Sequence, residues 1–123
     1  MILGLGIDIV HVRRIHHWME TEGLVERFFH PEEAASSKDR GHAEALSLAA
    51  RFAAKEAFGK ALGTGLAGMR LRDIQVINNH NGRPDMILHG TALERFRALG
   101  AARVLVSLTH ESDNAVAVVV IEG

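Results

Sequence analysis

Residues 114–122, Asn-Ala-Val-Ala-Val-Val-Val-Ile-Glu, constrain the fold more than any other segment. A strand sends successive side chains to opposite faces. Val116, Val118 and Val120 therefore line one face, and Ala117, Val119 and Ile121 line the other. A strand apolar on both faces needs cover on both, from the protein's own helices or from another subunit. The aliphatic run from Ala115 to Ile121 is seven residues, far short of the roughly 20 that span a bilayer. It reads as a strand in an antiparallel pair with Arg103–His110 around the Glu111-Ser-Asp-Asn114 turn.

Ala43 to Leu62 carries the strongest helix signal. This stretch is rich in Ala and Leu and stops at Gly63, a natural left-handed cap. At 100° per residue, Leu46, Ala49, Ala50, Ala53, Ala57 and Ala61 form one small-residue arc that permits close packing. Glu56 and Lys60 sit at the edge of that arc, and Arg51 and Lys55 form a polar stripe about 140° away.

The remaining elements follow from local patterns. Ile2–Val10 reads as a strand with Leu3, Leu5, Ile7 and Ile9 on one face. Gly4, Gly6 and Asp8 share the other face, which is bare enough for a backbone or a ligand to approach closely. Val12 to about Glu20 is an amphipathic helix with Gly23 as its stop, and Pro31 opens a short helix over Glu32–Ser36. The polar stretch Ser36–His42 reads as a loop. Asp73–Asn78 and Asp85–His89 form a hairpin through Asn81-Gly82. Thr91-Ala-Leu-Glu94 is a capping box that opens a helix closed by Gly100. Together these predict an α+β class: one compact domain over 1–123, antiparallel strands with a long central helix.

Composition narrows the function. Fourteen Lys+Arg against fifteen Asp+Glu give a net charge of -1, which excludes sequence-independent nucleic-acid binding as the chain's main activity. The absence of Cys excludes disulfides, thiolate metal sites and thiol nucleophiles, and suits a reducing cytoplasm. The Met1–Asp8 segment has no basic leader and meets a carboxylate at once, so no signal peptide and no membrane association are expected. At 47% apolar and 24% charged residues, the chain is too apolar for disorder.

Chemistry is expected at a few positions. Asp8, at the end of the first strand, is either a cap for the following helix or a ligand for a hard cation. Glu56 is a mid-helix carboxylate beside the alanine arc; it is either a solvated partner of Lys60 or a second ligand. Lys60 and Lys55 can neutralise a phosphate while two carboxylates hold the metal. His110 ends a strand at a tight turn, where functional groups are often presented. The other histidines form no His-x-x-x-His pair on a helix, which argues against a zinc site. Gly63-Thr-Gly65 is not a phosphate-binding P-loop, but its backbone amides can face an anion.

Gly6-Ile-Asp8-Ile-Val10, Arg51-Phe-Ala-Ala-Lys55-Glu56-Ala-Phe-Gly-Lys60-Ala-Leu-Gly-Thr-Gly65 and Ser107-Leu-Thr-His110, with the Asn81-Gly-Arg-Pro84 hairpin, closely resemble the short bacterial-type 4′-phosphopantetheinyl transferases, the holo-[acyl-carrier-protein] synthases. The resemblance covers nearly the whole chain. It implies that fold, and transfer of 4′-phosphopantetheine from coenzyme A to a serine of apo-acyl carrier protein, with release of adenosine 3′,5′-bisphosphate. It implies Asp8 and Glu56 as Mg²⁺ ligands, and Glu56, Lys60 and His110 as catalytic residues. It also implies Arg51, Lys60, Gly63, Gly65 and His110 as coenzyme A contacts. A homotrimer with active sites between subunits is implied, with the carrier docking at Arg14 and secondarily at Arg27 and Phe28. The chain departs from the family pattern at His16-His17-Trp18. The nucleophile belongs to the partner, and the acceptor of its proton is Glu56 or a water that Glu56 orients at the metal. The residues alone leave two other readings: a Mg²⁺-dependent phosphohydrolase, and a coenzyme A or nucleotide-binding module that assembles through its last strand.

Overall fold

Residues 1–37 and 41–123 are described by a computed structural model of the chain. Three strands form the main sheet: β1 (Ile2–His11), β4 (Arg103–Glu111) and β5 (Asn114–Glu122). Their order is β1-β5-β4, antiparallel throughout, so the strand that comes last in the chain lies in the middle. A separate two-stranded sheet pairs β2 (Ile74–Asn78) with β3 (Pro84–Leu88), the expected hairpin. Among the described residues five helices accompany the sheets: α1 (Val12–Met19), α2 (Leu24–Phe28), α3 (Pro31–Ser37), α4 (His42–Leu62) and α5 (Gly90–Ala98). A 3-10 turn over Leu71–Asp73 leads into β2. The Ser36–His42 reading as a loop lies partly outside the described residues, at 38–40; its ends belong to α3 and α4.

Helix α4 is the spine. Ala45, Ala49, Ala53, Ala54, Ala57, Leu48 and Phe58 are fully buried, and α4 lies across β1 and β5. From β5 it covers Ala115, Ala117, Val119 and Ile121. The bare face of β1 serves a backbone, not a ligand. A Cβ on Gly6 would lie 1.9 Å from the Ala57 carbonyl oxygen, and one on Gly4 would lie 1.8 Å from that of Ala61. Strand and helix therefore touch main chain to main chain.

This contact predicts that Gly6→Ala forces α4 away from β1 and opens the core. A cost of about 3 kcal/mol is expected. For a domain of this size that is a drop of roughly 10–20 °C in Tm, read by thermal denaturation. A Tm within a few degrees of wild type would show that helix and strand do not need this approach.

The other sheet face is open in the single chain. Leu5, Ile7 and Ile9 are 66%, 58% and 63% exposed, and Val116, Val118 and Val120 beside them are half-buried.

Two local expectations need correction. The capping box at Thr91 is not formed: the cap of α5 is His89, without a side-chain cap bond, and Leu93 N–H donates to the His89 carbonyl. Gly90 turns the chain at φ +51, with the Asp73 carboxylate where a side chain would stand, and so starts the helix before Thr91. The cap of α1 is His11, whose Nδ1 accepts from Arg13 N–H at 3.0 Å, so Asp8 is not a cap. The Gly63 stop is as expected, at φ 83.

Candidate active site

Asp8 reaches the helix side of the sheet by strand alternation, on the same face as Gly4 and Gly6, and so meets α4. There Lys60 Nζ donates to Asp8 Oδ1 and to the Ile7 carbonyl, both at 3.0 Å. Glu56 is one helical turn before Lys60 and half-buried. Its carboxyl holds a proton above the ordinary range. Burial is the main cause and the Asp8 carboxylate adds to it, against the opposing fields of Arg14 and Lys60. Two carboxylates, one lysine and one arginine from three elements thus act on one point.

No group of three or more His, Cys, Asp or Glu side chains placed to hold a metal occurs among the described residues. The donor set at Asp8 and Glu56 nevertheless suits Mg²⁺, which takes one or two carboxylates and fills its octahedron with water and phosphate oxygens. Each carboxylate raises the other's electrostatic energy, and a divalent cation between them would relieve that repulsion.

Other expected residues lie elsewhere. Lys55 does not face a phosphate. It is fully buried on the opposite side of α4, where Nζ donates to Glu33 Oε1 at 2.7 Å and to the carbonyls of Leu71 and Ile74. Arg51, expected at coenzyme A, is turned inward too: Nε donates to the Val76 carbonyl at 3.1 Å, Nη1 to Ser47 Oγ, and the Glu33 carboxylate is 4.0 Å away. The helical period explains both, because 51 and 55 share one stripe with 47, and 56 and 60 make another about 140° from 51 and 55. The Gly63 and Gly65 amides donate to the carbonyls of Lys60 and Gly59, so both are engaged in ending α4 and neither is directed at an anion.

His110 is exposed at the end of β4, in a hollow shared with Ile9, Ser112, Asn114 and Val116. It pairs across β5 with the level of Val10, whereas Asp8 pairs with the level of Leu108. The two are separated by two strand spacings, roughly 10 Å, and a further two residues along the strand. Within one chain His110 is not brought to the Asp8–Glu56–Lys60 group. On α1, the Arg14 guanidinium lies 5.5 Å from the Trp18 ring and 5.1 Å from Phe52. Trp18 stands 5.0 Å from Phe28, over which Arg27 rests at 5.7 Å.

Sequence reasoning missed Glu33. It lies in the first turn of the short helix that Pro31 opens, yet it is buried and also accepts from His30 N–H and Val76 N–H. The available signal was a lysine, Lys55, enclosed by alanines and phenylalanines, which needs a buried counter-charge.

A family model described as the 4′-phosphopantetheinyl transferase superfamily matches residues 4–119. The chain belongs to this superfamily. It is 56% identical to the holo-[acyl-carrier-protein] synthase of Treponema denticola over the whole of both chains, and 40% identical to that of Clostridium tetani over all of this chain and 98% of the other. The crystal structure of the Neisseria meningitidis holo-[acyl-carrier-protein] synthase superposes with a TM-score of 0.88 at 37% identity, covering all of both chains. The Helicobacter pylori enzyme, solved in complex with coenzyme A, gives 0.83 at 30% identity over 96% of this chain and 99% of that one.

Proposed function

We propose that this chain transfers 4′-phosphopantetheine from coenzyme A to a serine of apo-acyl carrier protein and releases adenosine 3′,5′-bisphosphate. The convergence of Asp8, Glu56 and Lys60 beside α1, in a chain of this family, carries the reading. Asp8 and Glu56 would hold Mg²⁺, which supplies charge neutralisation at the pyrophosphate. Lys60 uses two of its three N–H donors on Asp8 and Ile7, leaving one for a phosphate oxygen. The serine hydroxyl oxygen attacks the phosphorus that carries the pantetheine arm. The P–O bond to the adenosine bisphosphate breaks, and the serine proton passes to Glu56 or to a water that Glu56 orients. Arg14, fixed by its two aromatic neighbours and acting on Glu56, is placed to receive the acidic carrier beside the reacting atoms. We place the reaction in the cytoplasm, to which a Cys-free chain is suited.

The test is incubation with coenzyme A, apo-carrier and Mg²⁺, followed by mass spectrometry of the carrier. The carrier should gain one phosphopantetheine, and a chelator should stop the gain. Breakdown of coenzyme A without carrier would indicate a phosphohydrolase. Binding without turnover would indicate a binding module.

A homotrimer is part of this proposal. The open sheet face of Leu5, Ile7, Ile9 and the β5 valines is covered by a second copy, and His110, on the edge strand next to that face, completes a neighbour's coenzyme A pocket. Sedimentation at micromolar concentration should give three times the 13.4 kDa of one chain, and Ile7→Glu should reduce both mass and activity. An active wild-type monomer would refute the shared site.

A further inference from the structure

Two histidines from distant parts of the chain face each other where α1 packs on the start of α4. His16 Nε2, on α1, lies 3.3 Å from His42 Nδ1, at the first position of α4. The two positions are 26 apart, so no spacing within one helix marks them as a pair. Their rings are 23° from parallel, with centroids 5.5 Å apart. His16 is half-buried and His42 is exposed. The backbone on each side is anchored: Ile15, beside His16, and Ala45, one turn after His42, are fully buried.

Other histidines are committed differently. His30 and His89 also stack, at 5.4 Å, but His30 Nδ1 accepts from Glu32 N–H and His89 Nε2 bonds to Gln75 Oε1. His11 Nδ1 caps α1. Among the described residues, only His16 and His42 turn ring nitrogens toward each other within hydrogen-bond distance.

We propose that His16 and His42 are the two protein ligands of a site for a borderline divalent cation, Zn²⁺ foremost, separate from the Asp8–Glu56 site. Two Zn–N bonds of about 2.0–2.1 Å at a tetrahedral angle hold their nitrogens roughly 3.3–3.4 Å apart. The observed separation already matches that span. Without metal, one facing nitrogen donates its N–H to the other. With metal, both facing lone pairs go to the cation, and each neutral ring carries its proton on the far nitrogen, His16 Nδ1 and His42 Nε2. Imidazole nitrogen suits Zn²⁺, whereas Mg²⁺ takes oxygen ligands. No third His, Cys, Asp or Glu closes the site among the described residues, so water fills the remaining positions and the ion stays exchangeable. A bound ion clamps α1 to the start of α4. Along α4, His42 is about 21 Å from the level of Glu56, at about 1.5 Å per residue. The site does not depend on the transferase reading.

The test is isothermal titration of the untagged full chain with ZnCl₂ in excess MgCl₂, for wild type, His16→Ala, His42→Ala and the double variant. Wild type should bind one Zn²⁺ per chain at this pair. Loss of a mere outer-shell partner costs about 10–100-fold in metal affinity, so each single variant should bind at least about tenfold more weakly, and the double variant should lose the site. Saturating Zn²⁺ should raise the Tm of wild type by about 5 °C and leave the double variant unmoved. Where His16→Ala lowers helix content by circular dichroism, His42→Gln, at an exposed position, makes the same comparison. No saturable Zn²⁺ binding by wild type overturns the proposal, leaving the pair as a hydrogen bond alone. Binding unchanged in a folded His42 variant also overturns it. So does binding that excess Mg²⁺ abolishes, which would assign the Zn²⁺ to Asp8 and Glu56.

Discussion

Asp8→Asn and Glu56→Gln should each lower transfer by at least about a hundredfold and leave the fold intact. Both substitutions keep the shape and remove one anionic oxygen from the site proposed for Mg²⁺. A metal ligand of this kind supports several kcal/mol of charge stabilisation, and each 1.36 kcal/mol is tenfold in rate. Stability should hardly change. The Lys60–Asp8 pair is solvent-accessible, with the lysine side chain 54% exposed, and exposed pairs are worth about 0–1 kcal/mol. Glu56→Gln removes a carboxylate already raised in energy by burial and by Asp8. Mg²⁺-titrated transfer rates and circular dichroism check both variants. Near-wild-type turnover in both would remove the two-carboxylate site from the mechanism.

Lys55→Met should unfold much of the population at body temperature, although it touches nothing at the site. It strands the buried Glu33 carboxylate, whose Oε1 loses the 2.7 Å ammonium contact, and it frees the carbonyls of Leu71 and Ile74. Breaking a buried pair from one side costs about 3–5 kcal/mol, a large share of the roughly 5–15 kcal/mol a domain has. Removing both charges, as Lys55→Met with Glu33→Leu, should restore part of that loss. The pair also leaves a pH signature. Burial outweighs the Glu33 attraction and draws Lys55 from 10.5 down to about 8. Between those values the unfolded chain binds more protons than the folded one, so this group makes stability rise with pH there. Urea denaturation at pH 7 to 10 should show that rise in wild type and its loss in the variants. A single variant as stable as wild type would contradict the pairing.

The regular elements were legible because their signals are local. The period of α4, the Gly63 stop, the Asn81-Gly82 hairpin and the alternation in β1 and β5 are each carried by neighbours in sequence. Asp8, Glu56 and Lys60 were legible as chemistry, and the structure brings them together across about 50 residues. The inward turn of Arg51 and Lys55 was not legible. Their partner lies 22 residues before Lys55, on α3, and no local pattern marks such a pairing. Thr91 failed as a cap for a related reason. The capping-box motif was present, but Gly90 and the Asp73 carboxylate, 17 residues earlier, set where α5 begins. His110 was legible as a strand-end residue, while its distance from Asp8 depends on a strand order that the sequence does not state.

That strand order bears on synthesis. β5 follows every other element in the chain, yet it sits between β1 and β4 and pairs Ile2 with Glu122. A ribosome that has released the first hundred residues has made α4 and β1 but not the strand that joins β1 to β4. Contacts this distant in sequence close slowly, because the entropy of the intervening loop is lost before any pairing forms. Until the last nine residues of the sheet arrive, the strand bearing Asp8 has no partner on either edge, and its Leu5, Ile7 and Ile9, exposed even in the folded single chain, are open to aggregation.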